Sequence, residues 1–475
     1  MLEGLEIQEV LLSEILADNE EFRLDGDYYR KEYISIYREI GDYTLLKDIV
    51  TMSDVSSNGS FAYVQETLND SNPKVIPYIR SGNVGETFLY HDDLIKISKE
   101  AHDKLKLSRT KLHDIMMARK GKIGGASIIT EQETNFNCNE NVIKLSIKEK
   151  TNINPFYFVT FFNSQYGIKQ IERLSTGNVQ PWVSIYQIRK LRLSILSSFF
   201  QNKIENIVRH AHSCIQKSLS YYTRVEKLLF EELNLIDWKY DDNQFTIKRF
   251  KESFITTGRL DAEYYQSKYD AILQRIGKNE TKRLFQLVEL QKSVEPGSDY
   301  YMTEGVPFVR VADLTKFGVA EPSIYLDKEI FKDVIRPKKD TILMSKDGSI
   351  GIAYKVEKDE NFITSGAILH LHVTDNYVLP DYLTLIINSK VVQMQAERDA
   401  GGSIIQHWKP SEINNVIIPI LPMEKQIEIS QEVQESFRLR NESKRLLNVA
   451  KTTVEIAISE SEESALKYLK ENENG

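Results

Sequence analysis

Residues 176–188 read TGNVQPWVSIYQI, and residues 401–413 read GGSIIQHWKPSEI. Each places a glycine ahead of a glutamine and a tryptophan, then runs on to an isoleucine. Repetition at a near-constant offset betrays an architecture before any element is assigned, and this corner does not repeat alone. RLDGDYY at 23–29 returns as RLDAEYY at 259–265, and IPYIRSGNV at 76–84 as VPFVRVADL at 306–314. MMARKGKIG at 116–124 returns as LMSKDGSIG at 343–351, FFNSQYGIKQ at 161–170 as IINSKVVQMQ at 386–395, and LRLSIL at 191–196 as VIIPIL at 416–421. The order is preserved, and the offset drifts only as connecting loops change length. A unit of about 225 residues is too long for a solenoid repeat, so the pattern implies two related domains.

The repeated pieces predict an α+β mixture. IPYIR, VIKLSI, AILHLHV and VIIPIL are short and β-branched, as strands are. PFYFVTFFNSQYGIKQIERL and LPDYLTLIINSKVVQMQAERD are helical and start at a proline, which suits a first turn. After each domain comes a longer helix. In 198–235, positions 200, 204, 207, 211, 214, 218, 221, 225 and 228 alternate steps of four and three, and only Ser218 among them is plainly polar. That is a seam for pairing with another helix. The helix after the second domain, within 422–470, has less regular apolar spacing, yet Gln426, Ile429 and Val433 repeat Gln201, Ile204 and Val208.

A chain of 475 residues with 41% hydrophobic content has material for two cores. Its two cysteines, Cys138 and Cys214, make no disulfide framework, so the cytoplasm is the expected compartment. The acidic start predicts neither a secretion signal nor a transit peptide, and no apolar run has the length of a membrane span. The net charge of −8 is unevenly spread: residues 1–22 carry seven acids and no Lys or Arg, whereas 71–130 carry eleven Lys/Arg against six Asp/Glu.

Catalytic and metal signatures fail one by one. Asn154-Pro155-Phe156-Tyr157 lacks the second proline of an amino-methyltransferase motif, and no glycine-rich strand–turn–helix for a methyl donor precedes it. GKIGG at 121–125 lacks the hydroxyl residue of a P-loop. His210 and His212 sit about 200° apart on a helix and cannot share an ion. His370 and His372 share a strand face without a third ligand, so no metal site is expected.

The Gly-x-x-x-Gln corner, the Ile/Val strand after it and the IPILPMEKQIEI that opens the last helix resemble the specificity (S) subunits of type I restriction-modification systems. The RLDAEYY and VPFVRVADL stretches resemble that family too. Ser197-Ser198-Phe199-Phe200-Gln201 departs from it, standing where prolines are usual, so a less sharp helix start is expected there. The resemblance implies two mixed α/β target-recognition domains related by a pseudo-twofold repeat and separated by two long antiparallel, coiled-coil-like helices. It places the first domain at 1–197 (with a conserved segment at 1–40), a central helix at 198–236, the second domain at 237–421 and a distal helix at 422–475. It implies a chain with no catalysis or cofactor of its own that binds double-stranded DNA and docks two methyltransferase (M) subunits. S-adenosylmethionine would belong to those subunits, and ATP to a restriction/translocase (R) subunit that can join them. A related S-type partner of a type IIB enzyme, with methylation and cleavage fused, remains an alternative, as do a free-standing DNA methyltransferase and a non-DNA scaffold.

Two readers on one spacer imply a bipartite, asymmetric target. A helix of about 36 residues spans roughly 54 Å, on the order of one and a half turns of duplex. Recurring residues are assigned to the shared scaffold: Arg80 with Arg310, Gly121 with Gly348, Gly124 with Gly351, Gln180 with Gln406, and Trp182 with Trp408, the tryptophans as core with a polar handle at the indole nitrogen. DNA contacts are expected from cations that do not recur. In the first half these are Lys96, Lys99, Lys104, Lys106, Arg109 and Lys111, with Arg119, Lys120 and Lys122 at the glycine turn. In the second they are Lys316, Lys332, Arg336, Lys338 and Lys339, with Lys346 at its turn and His407 and Lys409 at the corner. Most would meet phosphates, and a few would reach base edges.

Overall fold

The computed structural model describes residues 9–18, 23–121, 123–177, 180–240, 245–402 and 406–473. The chain divides into two compact units, Met1–Ile215 with Asn441–Gly475, and Gln216–Arg440. Both divisions fall inside a long helix: the central helix Ser198–Glu232 and the distal helix Met423–Ser459.

Each unit repeats one topology. The first unit has a four-stranded antiparallel sheet in the order Val50–Ser53, Val142–Ile147, Ile115–Ala118, Ala126–Ile128. The second has Val288–Lys292, Ile368–Val373, Ile342–Ser345, Ala353–Lys355. The inner strands IMMA and ILMS are wholly buried, which is why they read as continuous apolar runs rather than alternating ones. A three-stranded sheet lies beside each: Ile95–Ser98, Lys74–Ile79 and Asn137–Cys138 in one, Tyr325–Leu326, Val306–Val309 and Ile363–Thr364 in the other. A short ribbon joins Tyr43–Leu45 to Arg192–Ser194, and Thr281–Arg283 to Ile417–Pro419.

The expected single helices at 155–174 and 380–399 are pairs, Pro155–Asn163 with Gln165–Leu174 and Pro380–Asn388 with Lys390–Asp399, broken at Ser164 and Ser389. The asparagine before each break has another task. Asn163 accepts from Ala126 N–H and donates to Ala126 C=O, both at 2.8 Å. Asn388 does the same to Ala353 at 3.0 and 2.7 Å. Each thereby pairs with both backbone groups of a buried residue on the outer strand of its sheet, and the Ala126 carbonyl accepts from Thr87 N–H as well, at 2.9 Å. Gln170 and Gln395 likewise clamp Arg192 and Ile417 at the ribbon. Tyr157 and Tyr382 donate to the carbonyls of Ser194 and Pro419. Gln201 and Gln426, inside the long helices, accept from the N–H of Asn154 and Leu379.

In the first unit the N-terminal strap, Gly26–Tyr29 and Lys31–Glu39, is held by alternating guanidinium groups and rings. Arg23 and Arg173 cover Tyr28 at 4.8 and 4.2 Å, Arg173 and Arg192 cover Tyr37 at 4.3 and 4.7 Å, and Arg192 covers Tyr43 at 4.4 Å. In the second unit, among the described residues, the stack is reduced to Arg259 and Arg398 on Tyr264, because Leu273 and Ile417 stand where Tyr37 and Arg192 would continue it.

The central helix buries positions 200, 204, 207, 211, 214, 218 and 225 as the seam predicts, but buries 222 and 229 in place of 221 and 228. A straight helix has 3.6 residues per turn, and a 3.5 repeat drifts about 20° per heptad against it. Within the second unit the two long helices run antiparallel. Ser218 meets Ser436, Arg224 pairs with Glu432, and Glu232 pairs with Lys425. The same helices also join the core of that unit through Val225, Leu229, Ile429 and Val433. Contrary to the expected soft start, the central helix is capped: Ser197 Oγ accepts from Phe200 N–H at 3.2 Å.

Candidate nucleic-acid interface

The glycine turn and the Gln-Trp corner, far apart in sequence, meet in each unit. The turn joins the two strands of the inner hairpin, and the corner pairs with it as a short extended segment. In the first unit Gly121 N–H donates to Pro181 C=O at 3.3 Å and Val183 N–H to Arg119 C=O at 2.9 Å. In the second, Gly348 N–H donates to Gln406 C=O at 2.9 Å and Trp408 N–H to Lys346 C=O at 2.8 Å. Lys120 bridges Trp182, as Asp347 bridges His407. Gly121, Gly124, Gly348 and Gly351 have φ of +83°, +80°, +72° and +74°, so the turn needs them for conformation. A Cβ on Gly121 or Gly348 would meet nothing within 4 Å, so bare backbone faces open space.

These contacts correct the pairing read from sequence. Arg119 matches Lys346, Lys120 matches Asp347, Pro181 matches Gln406, Trp182 matches His407 and Val183 matches Trp408. Gln180 and Gln406 are therefore not equivalents, nor are Trp182 and Trp408. In extended backbone a slip of one residue turns the side chain to the other face. Accordingly Trp408 and Val183 are buried, at 1% and 0% exposure, while Trp182 is 45% exposed and is not core. The expected polar handle is missing as well: the indole nitrogen of Trp408 has no hydrogen-bond partner among the described residues. Arg80 and Arg310 are true equivalents, each opening a short turn whose N–H donates to Asn83 or Asp313 at 2.9 Å.

The candidate cations divide into committed and available ones. Arg119 is half-buried, fastened to Asp54 at 3.0 Å and to Glu140 C=O at 2.6 Å. Arg109 holds Asp103 and His102 C=O, and Lys104 holds Glu100. Lys96, Lys99, Lys106, Lys111 and Lys120 are exposed and make no ion pair among the described residues. Only Lys120 of these belongs to the corner; the others lie on the strand Ile95–Ser98, the helix Lys99–Lys104 and the loop beyond. Lys122 lies outside the described residues.

In the second unit Lys316 turns toward the central helix, 3.4 Å from Glu226 and over Tyr222. Arg336 donates to the carbonyls of Val334 and Phe331, and burial lowers its pKa. Lys338 pairs with Asp359, and Lys409 with Glu412. Lys332 and Lys339 are exposed and make no ion pair among the described residues. At the corner Lys346 pairs with Asp347, whose other oxygen accepts from His407 Nδ1 at 2.8 Å. Asp54 and Asp347 are the residues a search for cations passes over. An acid directly beside a lysine in the turn, KDG, was the available signal for Asp347.

The discarded motifs have structural tasks. Asn154 caps the helix Pro155–Asn163 through the N–H of Phe156 and Tyr157. His212 packs on Phe88 at 5.0 Å between ring centroids. His370 meets Thr364 at 2.8 Å, and burial pushes its pKa down to about 4. Among the described residues no three His, Cys, Asp or Glu side chains form a metal-ligand group, and no helix is long and apolar enough to cross a membrane.

A protein-family model described as "Type I restriction modification DNA specificity domain" matches the chain twice, at residues 43–216 and 277–449. No curated protein sequence matches. Among solved structures, the type I restriction-modification S subunit from M. genitalium is similar at 13% identity and TM-score 0.39, over 88% of this chain and 95% of that one. The HsdS subunit from Thermoanaerobacter tengcongensis is similar at 12% identity and TM-score 0.28, over 88% and 97%. The type IIG restriction endonuclease BpuSI is similar at 11% identity and TM-score 0.27, over 42% and 35%.

Proposed function

Because the chain belongs to the type I restriction modification DNA specificity family, we propose that each of its two units reads one part of a bipartite, asymmetric duplex target. What supports this reading is the corner: one backbone, built twice, carrying different side chains. Two unlike readers in one polypeptide suit two unlike half-sites, with the gap between them set by the protein. The exposed lysines of the first unit supply phosphate contacts, which fix position, and the corners reach the bases, which carry sequence. Methyl transfer belongs to two M subunits docked on the long helices, which bring S-adenosylmethionine. ATP-driven translocation belongs to an R subunit.

Methylome sequencing of cells expressing the chain with its cognate M subunit tests this. The expected result is two short specific blocks separated by a fixed unspecified gap. Replacing residues 41–197 by the same domain of a homologue should change one block and leave the other intact. A single contiguous target, or a replacement that rewrites both blocks, overturns it.

A further inference from the structure

At matched places on the two corners the side chains are opposite in kind. Lys120, exposed and outside any ion pair among the described residues, stands where Asp347 stands in the second unit. Trp182, 45% exposed, stands where His407 does. Neighbouring backbone hydrogen bonds are the same in both units, so the fold does not require the difference.

The second pair is also pre-set. Asp347 is pinned on one side by Lys346 and on the other by His407 Nδ1 at 2.8 Å. A carboxylate can only accept, so the ring proton of this contact sits on Nδ1, and a neutral His407 presents Nε2 as an acceptor. The two oxygens of Asp347 have about four lone-pair directions, of which these neighbours use two. The exposed end of the pair therefore offers acceptors. In the major groove the matching donors are exocyclic amino groups, N4 of cytosine and N6 of adenine; guanine offers only acceptors there, and thymine an acceptor and a methyl group.

We propose that Asp347 and His407 form a base-reading pair that selects an amino-bearing base, cytosine or adenine, at one position of the half-site read by the second unit. Lys120, at the matched place in the first unit, lacks that selectivity. The assignment rests on the two-reader function proposed above. It makes Asp347 a specificity determinant that a census of positive charge would discard.

The test uses the full chain with its cognate M subunit and compares wild type with D347N and H407Q by methylome sequencing. The 41–197 replacement first identifies which block belongs to the second unit. Both substitutions are at the surface of the corner, and co-purification with the M subunit checks folding. In both variants one cytosine or adenine of that block should relax, its discrimination falling on the order of ten- to a hundredfold, while the other block stays as in wild type. Unchanged selectivity at every position overturns the proposal, as does equal weakening at every sequence, or loss of all methylation by both variants with the M subunit still bound. A wild-type target that is not bipartite instead overturns the underlying function, and the outcomes are separate.

Discussion

The asparagines of the two helix breaks show how much a single side chain can hold. Asn388 satisfies the N–H and C=O of Ala353, a residue with no exposure. Leaving each group buried and unpaired costs about 1–3 kcal/mol, so N388A should destabilise the second unit by about 2–6 kcal/mol. Tryptophan fluorescence in urea can read this selectively, because Trp408 and Trp238 lie in that unit, and Trp182 in the other is already 45% exposed when folded. N163A, the matched change in the first unit, should move that transition far less, and equal shifts would refute the assignment. The sequence displays both asparagines as NS within FFNSQ and IINSK, but their partners are backbone atoms, which carry no letter. The tryptophans misled for the reverse reason. Identity drew them together, whereas register, visible only in backbone hydrogen bonds, separates them by one residue.

Element by element, the strands and the central helix were legible because burial imposes a period on the sequence. The distal helix was less so. Its buried positions include Gln426, Ser430, Ser436, Ser443 and Thr453, polar residues that blur an apolar stripe. Ser436 explains the one polar residue of the opposite seam, donating to Ser218 C=O at 2.8 Å with its hydroxyl 3.0 Å from that of Ser218. S436A alone strands the buried Ser218 hydroxyl, whereas S218A leaves Ser436 its bond to the residue-218 carbonyl, and changing both removes the need. A double-mutant cycle followed by chemical denaturation should therefore show a coupling of about 0.5–1.5 kcal/mol. Strictly additive losses would mean that the hydroxyls do not support one another.

For the whole molecule, a net charge of −8 coexists with a lysine-rich segment in the first unit. The bulk figure hid that segment, and the sequence could not say which lysines ion pairs had already claimed. Lys96, Lys99 and Lys106 are unclaimed among the described residues, whereas Lys338 is held by Asp359. Each phosphate contact contributes about 0.9 to the slope of log affinity against log salt on duplex DNA. Replacing the three free lysines by alanine should shallow that slope by up to about 2.7 in anisotropy titrations of the complex, and K338A should leave it nearly unchanged. A slope indifferent to the triple change would remove this segment from the interface. The arginine and tyrosine stack of the first unit obeys another rule. Its guanidinium groups press directly on rings, and Tyr28 and Arg173 are buried, where dissolved ions screen poorly. A molar-salt rinse that strips bound nucleic acid would thus leave this buckle fastened. Lysine in place of Arg173, though it keeps the charge, would loosen it by losing the flat face that lies against two rings.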